Sequence, residues 1–154
     1  MNRKTLTALC VASLGTIGLA NPAFAYSFSP KSSKVSGYGA VSFVDGGSRK
    51  ACSATFSGAT DSAGVLKISK ISFQVCSSPG PTGLPWTVKA TSSKKATIYG
   101  MAYTNVFGGA CGPGNLPITV SSSFVSGFAF DSVLKGKCRF EGAFTIKEFL
   151  SIVK

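Results

Sequence analysis

The sequence predicts an all-β protein, an antiparallel β-sandwich or flattened barrel of about eight or nine short strands with two disulfides. Three observations lead there. Apolar and polar residues alternate with period two along most of the chain after residue 50. Turn-forming Gly, Pro, Ser and Asp clusters punctuate these runs at regular spacing. Four cysteines, Cys52, Cys76, Cys111 and Cys138, follow an export signal.

The signal comes first in the chain. Arg3 and Lys4 precede an uncharged, mostly apolar run from Leu6 to Ala20, and Asn21-Pro22-Ala23-Phe24-Ala25 ends in Ala-x-Ala. The apolar run is about 15 residues, short of the roughly 20 that cross a bilayer as a helix. Residues 1–25 are therefore read as a cleaved secretory peptide and 26–154 as one β domain, exported to the periplasm or beyond, with no integral membrane segment after cleavage. The cleaved product keeps 14 basic and 5 acidic side chains.

In the oxidising compartment that export implies, four cysteines favour two disulfides over a metal site. No Cys-x-x-Cys pair or histidine is present to build one. Three pairings are open. Cys52–Cys76 with Cys111–Cys138 is the expected one, because each bridge joins strands in one half of the chain.

The alternation Cys52, Ala54, Phe56, Gly58 defines a strand with one wet face, ending at the turn Asp61-Ser62-Ala63-Gly64. The next strand has Leu66 and Ile68 on one parity but Ile71, Phe73 and Val75 on the other, which requires a bulge near Ser69-Lys70. Ser77 to Pro85 reads as a stiff surface loop. Trp86–Thr91 and Ala96–Val106 form a hairpin about Ser92-Ser93-Lys94-Lys95, and Gly108–Asn115 reads as a Gly-rich loop. Strands near Ile118–Phe124 and Gly127–Phe130 follow. The last strand turns Cys138, Phe140, Gly142, Phe144 and Ile146 inward and Arg139, Glu141 and Thr145 outward; a turn is expected near Lys147–Leu150. Cys52–Gly58 and Cys138–Phe144 echo one another faintly.

Catalysis has little to work with. A chain without histidine holds no Ser-His-Asp triad and no His-ligated metal, and no cofactor is expected. Ser92-x-x-Lys95 and Ser132-x-x-Lys135 match one element of penicillin-recognising enzymes, but they fall at turns or strand ends and lack the companion motifs. Asp131 and Glu141 could face each other across a hairpin; with Arg139 alongside, a surface ion pair explains them better than glycoside hydrolysis. The Gly108–Gly114 run lacks the Lys-Ser/Thr and helix of a phosphate cradle. The expectation is a protein without catalytic residues.

Binding surfaces are the alternative. Leu84, Pro85 and Trp86, beside the stiff loop, either cap the core or form an exposed apolar patch. Tyr99, Met101 and Tyr103 share one parity and are a second candidate surface, with core or covered packing the alternative for this set as well. Lys135, Lys137 and Arg139 project from one strand face as a candidate basic patch, with Arg49-Lys50 and Lys94-Lys95 at turns or edges. Such cations either solubilise the surface and protect strand edges or hold anionic polymers non-specifically.

Ala51-Cys52-Ser53-Ala54-Thr55-Phe56-Ser57-Gly58, Gly83-Leu84-Pro85-Trp86-Thr87-Val88, Cys111-Gly112-Pro113 and Cys138 with its alternating tail occur in that order behind the Ala-x-Ala signal. In this the chain resembles the small secreted bacterial activators of alkane oxidation of the PraB type, across nearly all of the mature sequence. The resemblance implies an extracellular, non-catalytic accessory protein that helps cells contact or use hydrophobic substrates. The expected partners are therefore a hydrophobic substrate or an anionic cell-surface or extracellular polymer, without specific nucleic-acid binding. The rival expectation is a matrix or adhesion subunit that self-associates through strand edges.

Overall fold

The computed structural model describes residues 26–154 except 46, 77–79, 105–106, 122–126 and 136–137. Eleven strands follow in order: β1 Ser27–Ser29, β2 Lys34–Asp45, β3 Ser48–Thr60, β4 Leu66–Gln74, β5 Pro81–Thr82, β6 Trp86–Ser92, β7 Lys95–Thr104, β8 Ala110–Val120, β9 Gly127–Leu134, β10 Cys138–Ile146 and β11 Ser151–Val153. The main sheet runs β7-β6-β4-β3-β2-β10-β9-β8, and β8 pairs back onto β7. All its pairings are antiparallel, and chain neighbours are sheet neighbours. The expected β architecture is thus a closed up-and-down barrel, not a sandwich: one sheet curls until its two edges meet, which removes them.

An eight-stranded barrel has an interior just wide enough for side chains. Here that interior is aromatic. Phe43 lies 4.9 Å from Tyr103 and 5.1 Å from Phe140, ring centre to ring centre, while Phe130 stacks on Phe140 at 4.7 Å. Phe56 and Phe144 continue the column with an edge contact at 5.2 Å. Glycines make room for them. A Cβ on Gly37 would run into the Phe56 ring, and one on Gly39 into the Ala143 carbonyl, so β2 tolerates no side chain at either point.

The barrel ends differ. β1 and β11 pair into a small cap that buries Phe28, Leu150 and Ile152 at the end carrying the β3–β4 and β6–β7 turns. The opposite end carries both disulfides, Cys52–Cys76 and Cys111–Cys138, with Cα separations of 5.3 and 5.8 Å. The expected pairing is the one observed. β5 lies on the same edge of β7 as β6, so the two together fill one barrel position.

The bulge expected near Ser69-Lys70 is present: Ser57 pairs with Lys70 and Gly58 with Ile68, leaving Ser69 over. Two expectations need correction. Ala110–Asn115 is strand β8 and not loop. It is zipped to β7 along its length but to β9 only at Thr119–Ala129 and Val120–Phe128, so its β9 side behaves as an edge that accepts Pro113, Pro117 and Gly114. Arg49 and Lys50 lie at the start of β3 just after the β2–β3 turn, paired with Val44 and Phe43 but not with β4, whose register begins at Ser53, so they sit at an edge as expected. Val75 is not inward but 88% exposed, because β4 stops at Gln74 and Val75 adopts φ +66°, turning the chain toward the Cys76 bridge. A further bulge lies at Gly100, whose φ of +71° accompanies the register shift between Ile98 and Met101.

Candidate functional site

The candidate apolar patch comes apart. Trp86 is 1% exposed, pairs with Ile68 from β4, and donates its indole N–H to the Thr82 carbonyl at 3.0 Å. It is a core residue whose polar atom reaches back into its own loop. Leu84 packs half-buried against the core. Pro85 alone of the three is exposed, and it borders an outer groove of about 650 Å³ with Lys34, Gly58, Lys67 and Ser69. In the second candidate set, two of the three residues are core. The Gly100 bulge reverses parity, so Met101 and Tyr103 point into the barrel at 0% and 1% exposure, and only Tyr99 keeps an outer position under the Lys89 ammonium at 5.6 Å.

The basic patch is likewise redistributed. Lys135 occupies the turn after β9, Lys137 lies outside the described residues, and Arg139 sits on β10. The Arg139 guanidinium grips Asp131 in bidentate fashion at 2.7 and 2.6 Å and lies 3.5 Å from Glu141, which also pairs with Arg49. Hydrogen bonding from Arg139 holds Asp131 below the usual carboxylate range. These groups form an ionic ladder across β3, β10 and β9, as expected of Asp131 and Glu141 beside Arg139, with the cations neutralised in place.

Two further surface features are assembled by the fold. Val75, Val133 and Phe107 are exposed by 88, 63 and 42%, all toward the disulfide end. At the capped end, Lys31, Lys34, Lys94, Lys95, Lys147 and Lys154 are exposed, drawn from four separate stretches of chain. The two carboxylates there are held locally. Asp61 accepts the Val65 and Ala63 N–H groups at 2.9 and 3.0 Å, with Lys67 at 3.7 Å; the Val65 bond leads in lowering its pKa. Glu148 accepts the Ser36 N–H and hydroxyl at 2.5 and 2.6 Å; burial alone would raise its pKa, but the Ser36 bonds carry it below the ordinary value. No run of sequence spells out either feature, since each is assembled by barrel closure.

Among the described residues no group of His, Cys, Asp and Glu is placed to hold a metal, and no helix is long and apolar enough to cross a membrane. Residues 1–154 match the family model described as alkane oxidation protein activator PraA/PraB-like. The chain belongs to this family. No curated protein and no solved structure matches it. This PraA/PraB-like chain presents exposed apolar side chains at its disulfide end and exposed lysines at its capped end, with an aromatic column inside the barrel.

Proposed function

We propose that this PraA/PraB-like protein is an exported, non-catalytic accessory that acts from its outer surface on hydrophobic substrates. The observation that carries the reading is the filled barrel. Phe43, Tyr103, Phe130 and Phe140 occupy the lumen with ring centres 4.7 to 5.6 Å apart, so contact with a hydrocarbon falls to the exterior. Val75, Val133 and Phe107 at the disulfide end offer that contact. Two disulfides in a 154-residue chain accord with an oxidising destination. The rival reading, assembly through strand edges, has among the described residues the short β1, β5 and β11 and, within the ring, the stretch of β8 before Thr119 that has no ladder pairing to β9.

The test is adsorption of purified residues 26–154 to alkane droplets, with interfacial tension measured alongside. The expected result is adsorption that falls several-fold in a Val75→Ser, Val133→Ser variant of unchanged fold. A protein that leaves both the droplets and the tension untouched overturns the proposal.

A further inference from the structure

Barrel closure brings the lysines of the capped end together from the β1–β2 connection, the β6–β7 turn, the β10–β11 segment and the C-terminus. Contacts tie part of this set into one patch. The Lys147 N–H donates to the Ser36 carbonyl at 3.0 Å, which places Lys147 beside the start of β2 and its Lys34, and the Lys147 ammonium lies 5.9 Å above the Tyr38 ring. Asp61 and Glu148, the carboxylates of this end, already accept local N–H and O–H groups. The disulfide end differs, because Arg49 and Arg139 are tied to Glu141 and Asp131.

Three apolar side chains are exposed among these lysines: Phe149 at 68%, Tyr38 at 51% and Val153 at 41%. A soluble polyanion would use the charge and give these groups nothing. A lipid surface uses both, since aromatic rings settle at headgroup depth while lysines meet anionic phosphates. We infer that the capped end docks on an anionic lipid bilayer, with Lys34, Lys147 and their neighbours on the headgroups and Phe149 seated between them. The inference rests on the surface-acting reading above but uses the opposite pole of the molecule from the hydrocarbon contact.

Vesicle co-sedimentation tests it, using phosphatidylcholine with and without phosphatidylglycerol. The protein is expected on the anionic vesicles only, with binding that weakens as salt rises. Each of Lys34→Gln and Lys147→Gln should lower partitioning about fivefold. Phe149→Ser should remove the part that survives high salt, and Lys135→Gln at the other end should change nothing. Thermal melts confirm that each variant is folded. Equal binding to pure phosphatidylcholine, or indifference to the capped-end substitutions, overturns the inference. So does binding to dextran sulfate as tight as to vesicles and independent of Phe149, which would assign a soluble polyanion instead. If vesicle binding fails while droplet adsorption persists, only this inference falls; if droplet adsorption also fails, the function proposed above falls with it.

Discussion

Val75 sets local backbone against side chain. A β-branched residue at φ +66° is a costly conformer, and this one also exposes its isopropyl group. Glycine would fit the turn into the Cys76 bridge without strain, so Val75→Gly should raise stability by about 1 kcal/mol in chemical denaturation. If Val75 serves hydrocarbon contact, the same variant adsorbs to droplets less well, and the two readouts move in opposite directions. Tyr103 presents the reverse conflict: its ring fills the lumen while its buried hydroxyl has no partner. Removing an unsatisfied buried hydroxyl costs nothing in hydrogen bonding, so Tyr103→Phe should leave stability unchanged or raise it by about 1 kcal/mol. Burial first, and then the Asp45 charge, lifts the Tyr103 hydroxyl above the ordinary tyrosine range. Above about pH 10 the unfolded chain gives up this proton while the folded one keeps it, so stability falls as pH rises. Melting temperatures of wild type and Tyr103→Phe between pH 9 and 11, on the order of the unfolded tyrosine value, should therefore diverge.

At the level of elements, β2 and β10 lie so close that Gly39 has no room for a side chain beside the Ala143 carbonyl. The obstruction is backbone and cannot rotate away. Gly39→Ala should therefore destabilise by more than about 2 kcal/mol, read by urea unfolding, whereas alanine at the open Gly109 should not. Cys111–Cys138 bridges β8 to β10 across the end of β9, where β8 and β9 have few ladder bonds, helped by the Gly112 N–H to Lys135 carbonyl bond of 3.0 Å. Replacing both cysteines by serine should cost about 3 kcal/mol and loosen hydrogen-exchange protection in β8 before the other strands. Asp61 pins the β3–β4 turn and Glu148 pins the segment after β10. Both titrate below their ordinary values when folded, so their contribution is present at neutral pH and lost below about pH 4, as the folded groups protonate.

Viewed as one molecule, the protein is a barrel with unlike poles, plugged by β1–β11 at the cationic end and stapled by two disulfides at the apolar end. On the two proposals above, one pole meets an anionic lipid surface and the other an apolar phase. Reduction of both bridges should lower thermal stability while leaving the β spectrum, because the strand ladders and the ring contacts Phe56–Phe144 and Phe130–Phe140 do not include the sulfurs. Circular dichroism with and without reductant measures this.

The strand character, the Ser69 bulge and the inward set of β10 were readable in the sequence, since period-two alternation is a property of each strand alone. The cysteine pairing was readable as well, because each bridge closes within one half of the chain. Local signals could not show that Trp86 is enclosed, that Gly100 reverses the faces of Tyr99 and Met101, or that β8 keeps its strand through two prolines. Nor could they gather six lysines from distant segments at one pole. Those outcomes depend on which strands become neighbours when the sheet closes, and that choice is made by non-local pairing and packing, for which no short window of residues carries the information.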